Sequence, residues 1–290
     1  MKRFMAMILL VTLVLAGCAS GPNTDKSKRA ILVVSFGTSY SDTRELTIEA
    51  TEQAFVEAYP DYDIRRAFTA QIVIDVLAER DGIEVDNIQE AMDKLKKEKY
   101  SEVIVQPTLV MNGAEYDEMA AVVEQFEEDF DKLVIGNALL TSHADYEIVI
   151  EALKAQIGEL AADEAVMFMG HGTHHFADAA YSAMDLRLKN EGFDNVYMAT
   201  VEGYPLFEEV APKLEAKGIN KVTLMPFMLV AGDHASNDMA GDEDDSWKVQ
   251  LKKMGFAVDT YMHGLGELKE VQDLFVAHAE EAMNGEGHAE

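Results

Sequence analysis

From Ala30 onward, short apolar runs alternate with longer stretches in which apolar residues recur every three or four positions. The runs 30–35 (AILVVS), 62–68 (YDIRRAF), 102–106 (EVIVQ) and 132–136 (KLVIG) predict four strands in the first half. Four more are predicted in the second half at 165–169 (AVMFM), 195–200 (NVYMAT), 221–226 (KVTLMP) and 257–261 (AVDTY). Helical patterns fall at 42–58, 86–98, 115–129, 146–160, 178–190, 206–217, 244–254 and 268–283. Asp42 with Glu45 resembles a capping box, Asp244 or Asp245 is placed to start the helix that follows, and Gly218 sits where a helix should stop. Strand–helix alternation of this kind predicts an α/β fold of parallel sheets with helices on both faces.

The halves echo each other. "SFGTSYSDT" (35–43) aligns with "GHGTHHFAD" (170–178), matching Gly37 to Gly172 and Thr38 to Thr173. "VIVQPTLVMNGAE" (103–115) aligns with "VTLMPFMLVAGDH" (222–234), matching Pro107 to Pro226 and Gly113 to Gly232. Each half therefore reads as one duplicated lobe, 30–143 and 144–290. Open parallel sheets bind ligands beyond the carboxyl ends of their strands, so the loops at 35–43, 107–116, 170–178 and 226–238 should open into a cleft between the lobes.

Composition changes the picture at two points. The 290 residues carry 53 acidic and 24 basic side chains, a formal charge of −29, which repels phosphate backbones and argues against nucleic acid as a partner. The first residues look like a processing signal: Lys2 and Arg3 precede an apolar run from Phe4 to Leu15, and Leu15-Ala16-Gly17-Cys18 looks like a bacterial lipobox. Cleavage after residue 17 would leave Cys18 to carry the lipid and bring the charge to −31; Cys18 is the only cysteine, so no intrachain disulfide is possible. Residues 18–29 read as a polar tether, and the expected location is the periplasmic side of a bacterial membrane, held by lipid.

Three side chains then suggest chemistry. His171 follows a strand between two glycines, Glu202 follows the next strand, and His234 lies in the loop after the third. Neighbouring strands lie about 4.8 Å apart, so all three could reach one point. Two imidazoles with a carboxylate suit a first-row divalent metal. In the first half, Glu115 takes the place of His234, and Ser35-Phe36-Gly37 takes the place of Gly170-His171-Gly172. That smaller loop, with Thr38, suits contact with a flat ligand, although Phe36 fits the core equally well. No nucleotide-binding glycine motif, H-E-x-x-H or G-x-S-x-G occurs.

The stretches "ILVVSFGTSYSDT", "RAFTAQIV", "RDGIEVD", "MNGAEYDEM", "MGHGTHH", "VEGYP" and "LMPFMLVAGDHASNDMAGDEDDSWK" resemble the anaerobic cobalt chelatases over nearly all of residues 29–283. These enzymes insert Co²⁺ into sirohydrochlorin during cobalamin synthesis and are relatives of the class II ferrochelatases. The resemblance implies two lobes with a tetrapyrrole between them, no ATP and no organic cofactor. It implies that the divalent metal is a substrate (Co²⁺, with Fe²⁺ or Ni²⁺ acceptable to the same donors). His171 and His234 would bind metal and accept protons, Glu202 would be the acidic metal contact, and Glu115 would face the same cleft. An exported version of the family holds haem through a histidine in the loop corresponding to 107–116, where this chain has none. The alternative is a non-catalytic lipoprotein that binds a tetrapyrrole or metal for an uptake system. A homo-oligomer is left open.

Overall fold

The computed structural model describes residues 27–285; the expected signal segment, Cys18 and most of the tether lie outside the described residues. Eight strands form two four-stranded parallel sheets. The first holds β1 (Lys28–Ser35), β2 (Asp63–Phe68), β3 (Tyr100–Pro107) and β4 (Lys132–Ile135) in the order β2-β1-β3-β4. The second holds β5 (Glu164–Gly170), β6 (Val196–Thr200), β7 (Lys221–Pro226) and β8 (Ala257–Thr260) in the order β6-β5-β7-β8. Every pairing is parallel. Ala30 to Val34 and Ala165 to Met169 are buried without interruption, as strands covered on both faces require.

The two registers coincide. Val34 pairs with Pro107 in the first sheet, and Met169 pairs with Pro226 in the second. The next residues, Ser35 and Gly170, close their strands opposite Phe68 and Thr200. In each lobe the chain order reverses between the first and third strands, so the loops leaving those two strands flank the crevice.

The helices are α1 (Ser41–Arg44), α2 (Ala50–Ala58), α3 (Gln71–Val76), α4 (Ile88–Lys97), α5 (Ala114–Val123), α6 (His143–Ile157), α7 (Ala179–Asn190), α8 (Phe207–Ala216), α9 (Trp247–Lys253) and α10 (Lys269–Asn284). A π-helical turn, Glu45–Glu49, joins α1 to α2, so the helical pattern of 42–58 is one continuous element. Gly218 stops α8 with φ +76°, as expected. Two expected starts are corrected. Tyr40, not Asp42, caps α1, and no side chain closes a capping box there. Ser246, not Asp244 or Asp245, caps α9, its hydroxyl accepting from the Val249 N–H. A further helix, α3 with its π-helical extension Leu77–Asp81, occupies a stretch in which no element was predicted.

The lobes share a core. Ile31, Val33 and Ile104 from the first sheet join Val166, Phe168 and Met198 from the second, with Val149 of α6 and Phe275 of α10 in the same cluster. The last helix, α10, returns to lie against β3, β4 and α2. Lys132 Nζ donates to the Met283 carbonyl at 2.9 Å across that contact. His278 of α10 and Asp145 of α6 meet at 3.3 Å, both side chains almost wholly buried. Burial raises the Asp145 carboxyl, but hydrogen bonds from His278, Ser142 and the Thr141 N–H outweigh it and hold the group at about 2. No helix among the described residues is long and apolar enough to cross a membrane.

Candidate active site

A cleft of about 430 Å³ opens between the lobes, walled by the loops after β1, β3, β5 and β7 and by one face of α3. These are the loops at the two chain-order reversals, so the position of the cleft follows from sheet topology. His171 and His234 both line it. Their ring centroids are 4.8 Å apart with planes at 81°.

Hydrogen bonds fix each ring. His171 Nδ1 lies 2.8 Å from the Gly172 carbonyl, which can only accept, so Nδ1 carries the proton. His234 Nδ1 lies 2.5 Å from Asp238 Oδ2, and a carboxylate imposes the same tautomer. Neither Nε2 has a protein hydrogen-bond partner among the described residues. In their neutral form, both rings would carry the lone pair on Nε2, and two such nitrogens can hold one cation and later accept protons.

Local backbone geometry explains how His171 is presented. Gly172 has φ +83°, and a Cβ there would strike the Gly203 backbone. A Cβ on Gly170 would run into the Tyr181 ring. Tyr181 is buried beneath this turn, its hydroxyl accepting the Gly172 N–H at 3.3 Å, and burial pushes the phenol up to about 12. It therefore stays a neutral strut.

From the first lobe, Phe36, Gly37, Thr38 and Glu115 line the cleft as expected from the sequence. Phe36 is 43% exposed with its ring 6.4 Å from that of His171, which settles its alternatives: it faces the cleft rather than the core. Ser35 does not line the cleft. It is buried, and its hydroxyl is 2.6 Å from that of Thr108.

Glu202 is the second departure. Its N–H donates to the His171 carbonyl at 2.8 Å, but the residue is exposed and absent from the cleft wall. Among the described residues no three His, Cys, Asp or Glu side chains converge as a metal-holding group. β6 and β7 lie on opposite sides of β5, so the loops carrying Glu202 and His234 leave from the two flanks of the His171 strand, and the Glu202 side chain turns to solvent.

Several cleft residues carried no clear sequence signal. Ile72, Val73 and Val76 of α3 form an apolar wall, and Ile72 is 73% exposed. Asp238 stands four residues after His234, and a carboxylate at that spacing in a helical context is the signal that marks it. Two contacts bridge the lobes at the cleft margins. The Tyr40 hydroxyl donates to Asp233 at 3.3 Å, and His175 Nε2 lies 3.3 Å from Asp117. His175 is thus a loop staple, and His174 is exposed.

The model of the family described as "Cobalt chelatase (CbiK)" matches residues 29–284. The chain belongs to that family. The sirohydrochlorin cobaltochelatase of Salmonella typhimurium is 42% identical over 257 residues, covering 89% of this chain and 97% of that one. The sirohydrochlorin cobaltochelatase CbiKC of Nitratidesulfovibrio vulgaris is 33% identical over 261 residues, covering 89% and 92%. Among solved structures, SirB from Bacillus subtilis with Fe³⁺ superposes with a TM-score of 0.61 at 19% identity, covering 90% of this chain and 98% of that one. That likeness shows the chelatase fold, two parallel-sheet lobes with a cleft between them, in this member of the cobalt chelatase family.

Proposed function

We propose that this protein inserts Co²⁺ into sirohydrochlorin, without ATP, at the cleft between its lobes. The observation that carries this is the imidazole pair: two edge-on rings 4.8 Å apart, both with Nδ1 occupied and Nε2 free, in a cleft with apolar walls. The 42% identity to a sirohydrochlorin cobaltochelatase supports the choice of metal and macrocycle.

The metal is a substrate in this scheme. For each Co²⁺ that enters the ring, two pyrrole N–H bonds break and two protons leave. His171 and His234 hold the incoming cation at one face of the macrocycle and accept protons as it transfers. Glu115 from the first lobe, on the cleft wall, offsets the charge of the cation. Phe36 and the apolar face of α3 lie against the flat ring, leaving its carboxylates at the watery mouth. Fe²⁺ and Ni²⁺ satisfy the same donors. The reaction runs in the cell envelope, with the protein tethered through lipid on Cys18.

The decisive experiment is anaerobic incubation with sirohydrochlorin and each metal in turn, followed by absorbance. Metallated product far in excess of the protein is expected with Co²⁺; product that stops at one equivalent makes the protein a carrier. Wild-type rates in both His171→Ala and His234→Ala would remove the site assignment. Incorporation of a lipid label that disappears in Cys18→Ala tests the anchor.

A further inference from the structure

We infer that Asp238 is a positioning residue: it holds the His234 ring in the one tautomer and orientation that presents Nε2 to the cleft. His234 begins a π-helical turn, Ala235–Met239, and Asp238 lies four residues on, with Oδ2 2.5 Å from Nδ1. Among the described residues this carboxylate has no Lys or Arg partner; its contact is the imidazole. The neighbouring pair has the same spacing, Asn237 Nδ2 donating to Asp233 Oδ1 at 2.9 Å. Two parallel i,i+4 bonds therefore hold the turn, one of them reaching a cleft histidine.

The contrast with His171 points to a specific role. His171 is oriented by a backbone carbonyl, which no substitution can remove. His234 has no such carbonyl and depends on a side chain. Without Asp238 its ring could rotate about the Cβ–Cγ bond or move its proton to Nε2, and in either state no lone pair would face the cation. Partners of this kind typically contribute about 10–100-fold in metal affinity or activity.

This inference rests on the reading that His234 meets the metal, and the test separates the two. In Asp238→Ala the KM for Co²⁺ is expected to rise about 10–100-fold, while the KM for sirohydrochlorin stays within about twofold. Long-range ¹H–¹⁵N spectra of the metal-free protein should show the His234 ring leaving its single Nδ1–H form. Asp238→Asn, which keeps an acceptor oxygen, should fall between wild type and alanine; should the alanine variant not fold, the asparagine variant is read by the same criteria. A Co²⁺ KM within about twofold of wild type, or an unchanged ring tautomer, overturns the inference. His234→Ala measured alongside distinguishes the failures: wild-type insertion there overturns the parent reading, whereas its inactivity beside an unaffected Asp238→Ala overturns only the role of Asp238.

Discussion

Where the chain leaves the first strand of each lobe, it reads Ser35-Phe36-Gly37 in one and Gly170-His171-Gly172 in the other. The backbones are alike: Gly37 has φ +101° and Gly172 has φ +83°, and both strands pair with a third strand that ends in proline. The side chains are not. The first lobe offers a phenyl ring, the apolar face of α3 and Glu115; the second offers two imidazoles and Asp233. One sheet topology thus carries two chemistries, because the loops beyond strand ends can change without disturbing the buried pairing beneath them. Under the proposed function, the first lobe would receive the macrocycle and the second the metal.

The sharpest way to break that division is to exchange losses between lobes. His171→Ala and His234→Ala should each lower the insertion rate by about 10²-fold or more, whereas Phe36→Ala should chiefly raise the KM for sirohydrochlorin. Steady-state kinetics that showed the reverse pattern would dissolve the division of labour.

The next test compares the two glycines. Gly172→Ala meets backbone and must displace either His171 or the Glu202–Gly203 peptide, so it should remove most activity and cost about 1–3 kcal/mol of stability. Gly37→Ala meets the buried Phe68 ring at 2.6 Å, so it should cost similar stability but leave the imidazole pair intact. Retained Co²⁺ binding in Gly37→Ala and its loss in Gly172→Ala would sharpen the contrast.

A third test asks whether the lobes unfold as one. Removing His278 leaves a buried carboxylate without its cross-helix partner and should cost about 3 kcal/mol in a single cooperative denaturant transition; two separate transitions would show independent lobes. Asp145 is depressed to about 2 in the folded state, so its contribution is fully present above about pH 4 and is lost as pH falls from there toward 2. That contribution is roughly 2 kcal/mol, and Asp145→Asn should flatten this part of the stability profile. The smallest effect is expected for Tyr40→Phe. It removes one exposed hydrogen bond across the cleft and should change stability by less than about 1 kcal/mol, with little change in rate.

Much of this was legible in the residues. Apolar runs located the central strands β1, β3, β5 and β7 most plainly, because a strand covered on both faces is apolar along most of its length. The edge strands β2 and β8, with charged and exposed residues, were marked by their short β-branched or aromatic stretches between helical patterns. The paired glycines and prolines set the two halves in register. The helix at 71–81 escaped because its apolar residues face both the core and an open cleft, which blurs the one-sided pattern of a surface helix. The cap positions slipped by one or two residues because the start of a helix depends on the entering backbone: Tyr40 precedes α1 with no side-chain bond, and Ser246 rather than its acidic neighbours turns back on α9.

The sequence by itself determined the fold class and put His171 and His234 in loops that follow strands, since each leaves its mark within a few neighbouring positions. Only the tertiary structure decided which side chains share a space. It placed Glu202 and His234 on opposite sides of the His171 strand, turned Phe36 outward, tied α10 back onto the first sheet and set Asp238 against His234. Strand order and helix return are settled by packing apolar faces against one another across the whole chain, and no local stretch records the outcome.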